Sequence, residues 1–340
     1  MPITRSLTNA YEITDWTREI NELDRQYALV PDGVFEQFET TQTSVTFDKD
    51  SRTTTLLPSV ARGPRGSSYN QDRVFETFAL NLAYFKHSDY LTPEDIQGVR
   101  MMGTPDGAER IDVARARKLE QIRRDYDMTV EYMKFRCMTQ GKCVTPSGLV
   151  VADLFSEFGI SQTEATWDLT DTAFDLSTAI RDVKRKVRDG LKNGGVMVEP
   201  TIYLESSDFD ALVSHANVKD AYRYFSATVN PQRDDIIDGF RHAGVMIMPL
   251  DGAFNLPDGT TEDVMTAGEG YAVPLGAGIF RQYAGPSNKL SGANGGQIAD
   301  VYSFEYTDPK DEAIEFQIES SPLVMVTAPA ALIKINVVTA

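Results

Sequence analysis

Soft-ligand chemistry is scarce in this chain: among 340 residues there are two cysteines, three histidines and two tryptophans. Cys137 and Cys143 sit close together, with no second thiol pair and no clustered histidine beside them. They make neither a disulfide framework nor a zinc-site spacing, and both are expected to be reduced and structural. His87, His215 and His242 are far apart in sequence, so a structural or surface role is expected for each. No apolar run approaches the roughly 18 residues that a membrane span requires. The opening Met1-Pro2-Ile3-Thr4-Arg5-Ser6-Leu7-Thr8-Asn9 lacks the apolar stretch and small-residue cleavage site of a secretory leader. The expectation is a chain made and used in a cytoplasm, with no membrane partner.

Familiar catalytic signatures are missing as well. There is no Gly-x-x-x-x-Gly-Lys-Ser/Thr loop, no Gly-x-Gly-x-x-Gly, no Gly-x-Ser-x-Gly elbow and no His-Glu-x-x-His. No catalytic residue, cofactor, cofactor-binding residue or metal ligand is therefore assigned. Carboxylates abound, Asp234-Asp235 and Glu262-Asp263 among them, and a glycosidase pair need not be close in sequence. A carboxylate-dependent glycoside hydrolase stays as the enzyme alternative, although in so acidic a chain such pairs are usually solvated.

Positive charge is in deficit, with 33 Lys and Arg against 50 Asp and Glu, a net charge of −17. A nucleic-acid binder gains affinity by setting clustered cations against phosphates, so direct binding is disfavoured. A surface that merely encloses DNA gains from like charge, because packed DNA must slide against it. The apolar share of 41% and charged share of 24% are ordinary for a globular protein, and the length suffices for a sizeable core and two or three domains.

Residues 1 to about 40 read as a polar arm carrying one short amphipathic helix. Trp16, Ile20, Leu23 and Tyr27 share a helical face, and Pro31-Asp32-Gly33 ends it. Such a stripe packs on its parent fold or, in a terminal segment this polar, docks on a neighbour. From 41 to 90 the pattern turns to strands: Thr41 to Phe47, Arg52 to Leu57, and the alternating Phe78, Leu80, Leu82 and Tyr84. Between them Arg62-Gly63-Pro64-Arg65-Gly66 is turn chemistry, which predicts a long hairpin with a basic tip. An isolated hairpin is marginally stable in water, so this one needs a surface to lie on. The local sequence supplies none, which makes a neighbouring subunit a candidate.

Thr92-Pro93-Glu94-Asp95 has the form of a helix start. Gly107 to Gly141 carries the strongest helical pattern, with Ala116, Leu119, Ile122, Tyr126, Val130, Met133 and Cys137 on one stripe; about 30 residues at about 1.5 Å each would span roughly 45 Å. Arg110, Arg115, Arg117, Lys118, Arg123 and Arg124 crowd its first half, as a solvated face or one opposing a neighbour's acidic surface. Beyond 150 helices and strands alternate. Thr170 to Lys192 is amphipathic, with Leu176, Ile180, Val183, Val187 and Leu191 inward, and is stopped by Asn193-Gly194-Gly195. Strands are expected at Thr201 to Leu204, Gly244 to Met248, Tyr271 to Leu275 and Ile279 to Tyr283, a helix at Phe209 to His215, and a loop at Ser287 to Gly296. The end is strand-rich: Tyr302, Phe304 and Tyr306 alternate, as do Ile314, Phe316 and Ile318, before apolar runs at Leu323 to Val326 and Leu332 to Val338. The fold class is α+β.

The order of these parts resembles the Hong Kong 97-type capsid fold, and the chain is similar to the lambda-type phage major capsid protein E family. The most specific similarity is Asp308-Pro309 followed by Glu315-Phe316-Gln317-Ile318-Glu319-Ser320-Ser321-Pro322-Leu323-Val324-Met325, with support from Leu275-Gly276-Ala277-Gly278-Ile279-Phe280-Arg281-Gln282-Tyr283-Ala284-Gly285. The resemblance implies an N-terminal arm (1–40), an extended loop (41–90), a peripheral domain with a spine helix (91–160), an axial domain (161–300) and C-terminal strands returning to the peripheral domain (301–340). It implies a tailed-phage major capsid protein forming pentamers and hexamers of an icosahedral head, assembled in the host bacterial cytoplasm and resident in the virion. It also implies a scaffolding protein, a portal protein, in many cases a decoration protein, and weak non-specific contact with packaged DNA. An encapsulin-like cellular shell is the other reading of the same fold. The residues expected at subunit interfaces are Arg62, Gly63, Pro64, Arg65 and Gly66 at the hairpin tip, Arg115, Arg117, Lys118, Arg123 and Arg124 on the long helix, and Trp16 and Ile20 in the arm.

Overall fold

The structure, a computed structural model, describes residues 13–23, 29–50, 75–97, 111–191, 198–219, 239–290, 298–308 and 312–339. The first 140 residues contain strand β1 (Ile13–Asp15), helix α1 (Thr17–Glu22), strands β2 (Phe35–Glu39), β3 (Ser44–Asp50), β4 (Phe75–Asn81) and β5 (Phe85–Leu91), the one-turn helix α2 (Pro93–Ile96) and the long helix α3 (Ile111–Gln140). Then come β6 (Lys142–Val144), β7 (Val150–Asp153), α4 (Leu154–Glu157), β8 (Thr163–Asp168), α5 (Leu176–Leu191), β9 (Thr201–Leu204) and α6 (Ser206–Ser214). The remainder is strand-rich: β10 (Phe240–His242), β11 (Val245–Pro249), β12 (Ala253–Asn255), β13 (Thr261–Asp263), β14 (Glu269–Val273), β15 (Phe280–Ala284), β16 (Tyr302–Thr307), β17 (Ile314–Ser320), β18 (Pro322–Val326) and β19 (Ile333–Val338). Helices and strands mix as an α+β fold.

Local chemistry sets the helix ends. At α2 the Thr92 and Asp95 side chains form a capping box, and the two hydrogen bonds from Thr92 hold the Asp95 carboxyl below its usual range. Helix α3 stops at Gly141, whose φ of +62° is left-handed; a Cβ there would meet the Phe155 ring. In α5 the inward positions Leu176, Ile180, Val183 and Val187 are all fully buried, as the sequence spacing predicts.

Three cores follow from three sheets. The six-stranded sheet, in order β10-β11-β9-β14-β19-β8, has both faces covered. Ile202, Leu204, Ala272, Ile333 and Ile335 point to one face, under α5 and α6. Tyr203, Tyr271 and Val273 point to the other, toward the second half of α3. Strand alternation alone divides these residues between two cores. The four-stranded sheet β1-β16-β17-β5 packs on the first half of α3 through Phe316, Ile318, Leu119 and Ile122. The three-stranded sheet β18-β15-β2 packs on the rest of α3. The long helix contributes to two of the three cores, and the core under α5 and α6 contains none of its residues.

Several expectations change. The extended loop was read as running to residue 90, but β5 pairs with β17 from Phe85↔Ser320 to Leu91↔Ile314 and belongs to the body. The C-terminal strands divide: β16, β17 and β18 lie in the smaller sheets, whereas β19 joins the six-stranded sheet between β14 and β8. In α3, Ala116 is exposed and Ala114 is buried, because α1 brings Ile20 over that flank. The expected strand Arg52 to Leu57, the helix stop Asn193-Gly194-Gly195, Tyr27, Arg110 and Asp234-Asp235 lie outside the described residues.

Met133 is fully buried where α3 meets the second core. Met133→Ala should cost about 2–5 kcal/mol in chemical denaturation, while Ala116→Ser on the exposed flank should stay within roughly 0.5 kcal/mol. Equal effects would contradict this orientation of the helix.

Candidate assembly surfaces

The basic first half of α3 is largely committed within the chain. Arg115 reaches Glu305 Oε1 at 3.0 Å, and its guanidinium lies 5.3 Å from the centre of the Trp16 ring. Trp16 Nε1 donates to Glu305 Oε2 at 2.7 Å. Nearly one turn on, Lys118 pairs with Asp89 at 2.7 Å. Arg123, buried, pairs with Asp127 at 3.1 Å and donates to Asn21 Oδ1, while Asn21 Nδ2 donates to Val301 O at 2.8 Å. Ile20 is wholly buried against this helix. Of the residues expected at subunit interfaces, Ile20 and Arg123 are therefore corrected to interior roles. Trp16, Arg115 and Lys118 are half-buried in contacts that hold the arm and β5 to the helix, which is a correction to a free basic face. The reason is charge matching: cations on a long helix take the nearest carboxylates, and Glu305 and Asp89 are presented by the adjoining sheet. Arg117 and Arg124 keep exposed side chains. Arg62, Gly63, Pro64, Arg65 and Gly66 lie outside the described residues.

The second half of α3 holds the residues that sequence reading missed. Every side chain from Glu131 to Thr139 is buried, charged ones included. Glu131 accepts the Val30 N–H at 2.9 Å and pairs with Lys134 at 3.4 Å; the Lys134 ammonium lies 5.8 Å from the Phe35 ring centre. Arg136 pairs with Glu262 and lies over the Tyr132 ring, whose hydroxyl donates to Glu262 Oε2 at 3.0 Å. Thus Glu262, weighed in the sequence as half of a carboxylate pair, is a tether between the β12–β13 hairpin and the long helix. A signal existed in the opposite charges at Arg123/Asp127 and Glu131/Lys134, spaced for contact on one helix.

The hairpin expected to lack support has its base on the body. β3 and β4 pair from Ser44↔Asn81 to Asp50↔Phe75. Phe47 packs edge-on to Tyr283, and Phe78 edge-on to Phe158. Nearby, β5 forms an edge of its sheet and carries the exposed Tyr90, and the β6–β7 turn exposes Leu149 and Val150.

Both cysteines are buried free thiols, and burial pushes Cys143 up to about 11 and Cys137 well above its ordinary value. His215 is buried with Nε2 3.1 Å from Asp171 O, and His242 Nε2 lies 3.0 Å from Ser177 Oγ, with burial depressing its pKa. Among the described residues no group of three His, Cys, Asp or Glu could hold a metal ion.

Comparison with known proteins gives a consistent picture. The model of the family described as phage major capsid protein E matches residues 12–337. The chain is 29% identical to the major capsid protein of Pseudomonas phage KPP10, covering 97% of each, and 28% identical to that of Salmonella phage Felix O1, covering 98% of each. Among solved structures, the mature capsid of bacteriophage PhiM1 aligns with a TM-score of 0.51 at 12% identity over 94% of this chain and 90% of that one. A protein described as the capsid protein of an E. coli CFT073 prophage aligns with a TM-score of 0.51 at 11% identity over 77% and 79%.

Glu305→Ala would strand Arg115 and the Trp16 indole. A loss of about 3 kcal/mol is expected, with faster limited proteolysis N-terminal to residue 23 than elsewhere. Unchanged cleavage there would contradict the role given to Glu305.

Proposed function

The chain belongs to the phage major capsid protein E family, and on that premise we propose how its own residues build a shell. It is a major capsid protein of tailed phages with the Hong Kong 97-type fold, and its place is the virion shell. The proposed activity is self-assembly into pentamers and hexamers that close as an icosahedral head around the genome. The reading includes no catalytic step: the chain's charged groups serve as contacts.

Supporting this reading is the division of labour along the chain. The three cores and the paired charges of α3 give each subunit a body that is closed on itself. Cyclic contacts among identical bodies are heterologous and close into rings, and segments reaching across ring boundaries join rings into a lattice. The β3–β4 ribbon is still paired at Asp50↔Phe75, and residues 51–74 continue from that point. The proposal gives that stretch, with Arg62 and Arg65, to an acidic surface of an adjacent subunit. Each such contact is weak, and their number along a closed shell makes the assembly stable.

The other partners follow from the same reading: a separate scaffolding protein, a portal protein, a decoration protein where the finished shell carries one, as many shells of this kind do, and packaged DNA touched weakly by a surface of net negative charge. Assembly takes place in the host bacterial cytoplasm. Neither a cofactor nor a membrane takes part.

The observation that carries the function is the family match across residues 12–337 on a body of this fold. Expression alone and with the neighbouring genes, followed by sedimentation and negative-stain microscopy, should yield rings or megadalton shells. A species that stays monomeric under every such condition would refute the reading. Arg62→Glu together with Arg65→Glu should abolish shells while leaving the melting temperature of the subunit unchanged; normal shells from that variant would remove residues 62 and 65 from the interface.

A further inference from the structure

The strands β8, β9, β11 and β19 of the six-stranded sheet run the same way, with β14 antiparallel between β9 and β19. All four parallel strands therefore begin at one end of the sheet and finish at the other. Helix α5 crosses the starting end. Ser177 lies beside His242, Lys184 Nζ reaches Gly244 O at 3.4 Å, Lys186 Nζ donates to Glu164 O at 3.0 Å, and Gly190 packs on the backbone of Ala330. Because the apolar stripe of α5 faces the sheet, Arg181, Arg185 and Arg188 are left exposed along the opposite side.

These cations are unusual in so acidic a chain. Lys184 and Lys186 have carboxylate partners in Glu199 and Asp182. Arg181 turns onto Ser177 O and Thr178 Oγ1, with the Asp175 carboxylate nearby but no direct ion pair. Among the described residues neither Arg185 nor Arg188 forms an ion pair.

The finishing end is the converse. β9 ends at Leu204 and β11 at Pro249; beyond them come Glu205 and Asp210 at the cap and within α6, Asp251 in the loop after β11, and Asp263 at the end of β13, paired opposite Ala253. Ser206 Oγ hydrogen-bonds Asp251, Val264 N donates to Gly252 O at 3.0 Å, and Asp210 lies one turn along α6 from Ser206. Among the described residues none of these four carboxylates pairs with a Lys or Arg. Behind them Asp208 is buried and accepts the Gly268 N–H at 2.6 Å.

We propose that the six-stranded unit is a head-to-tail contact module: the Arg181/Arg185/Arg188 face of α5 on one copy seats against the Glu205/Asp210/Asp251/Asp263 ledge of the next. This rests on the capsid reading above and specifies which surfaces meet within a ring. Opposite charges at opposite ends of one rigid sheet make a heterologous contact, the kind that closes into rings when the rotation per copy allows. Arginine suits the role, since its planar fork binds a carboxylate through two hydrogen bonds. A phosphate backbone could also meet the arginines, but it would leave the four carboxylates without a cation, Glu205 being engaged among the described residues only as the α6 cap with Ser207 and Asp251 only with Ser206, whereas a second copy neutralises both ends at once.

The test uses the full chain under conditions that give wild-type shells, read by sedimentation velocity. Arg185→Glu with Arg188→Glu, and separately Asp210→Lys with Asp263→Lys, should each reduce shell yield by about ten-fold or more, because each lost pair is repeated around every ring. The chain carrying all four changes should recover assembly. Shells at wild-type yield from both reversals would overturn this interface and leave the capsid reading standing; absence of wild-type shells under every condition would defeat the capsid reading itself. Shells of normal yield from the arginine variant that hold less DNA would assign the arginines to the genome and overturn the proposal. If a reversal fails to fold by circular dichroism, Arg185→Gln with Arg188→Gln replaces it. Wild-type yield should then fall with added salt more steeply than the variant's, and identical salt responses would overturn the proposal.

Discussion

Charge inside a protein is tolerated only with a partner, and the long helix α3 is built around that rule. From Glu131 to Thr139 it is buried on all sides, yet it carries Glu131, Lys134 and Arg136 into the interior. An ion taken out of water without compensation costs several kcal/mol, so each of these groups fixes the position of something else. Glu131 holds the backbone at Val30, and Arg136 holds the β12–β13 hairpin through Glu262. Toward the start of the helix, Arg123 fixes Asn21 of α1 and Arg115 fixes Glu305 of β16. The helix is thus a rod to which two smaller sheets are attached by paired charges, the arm by hydrogen bonds and packing, and the six-stranded sheet by apolar packing.

That arrangement explains why one subunit can be both closed and adhesive. The apolar stripe of α5 and the alternating strands of the six-stranded sheet are fully used in the chain's own cores. Among the described residues, what remains at the surface is charge, a few exposed aromatic and aliphatic side chains such as Tyr90 and Leu149, and sheet edges such as β5. Surfaces of that kind give weak, reversible contacts, and a closed shell needs reversible contacts so that misplaced subunits can leave before the lattice closes.

The elements governed by local periodicity were legible in the sequence. The long helix was expected over 107–141 and is described over Ile111–Gln140; the inward face of α5 and the positions of β9, β14 and β15 also follow from spacing alone. What could not be read was anything decided by a partner hundreds of positions away. The apolar run at Leu332 to Val338 announces a buried strand, but only its pairing with β8 and β14 decides which sheet receives it. Likewise, a string of arginines on α3 reads as a basic surface until Glu305 and Asp89 are brought beside it. The pair Glu262-Asp263 shows the same limit in miniature: adjacent in sequence, one residue anchors a helix and the other stays exposed. Among the candidate interface residues on the helix, Arg115 and Lys118 are drawn in by carboxylates from distant strands, which no local pattern announces.

The central claim is that the charged interior of α3 is completed within each subunit before any shell exists. Amide hydrogen exchange on the unassembled subunit, compared with the assembled shell, tests it most directly. The account predicts that amides from about Leu119 to Gln140 are strongly protected in the free subunit and change little on assembly. Rapid exchange across that helix until the shell forms would show that neighbouring copies complete its charge pairs, and would contradict the account.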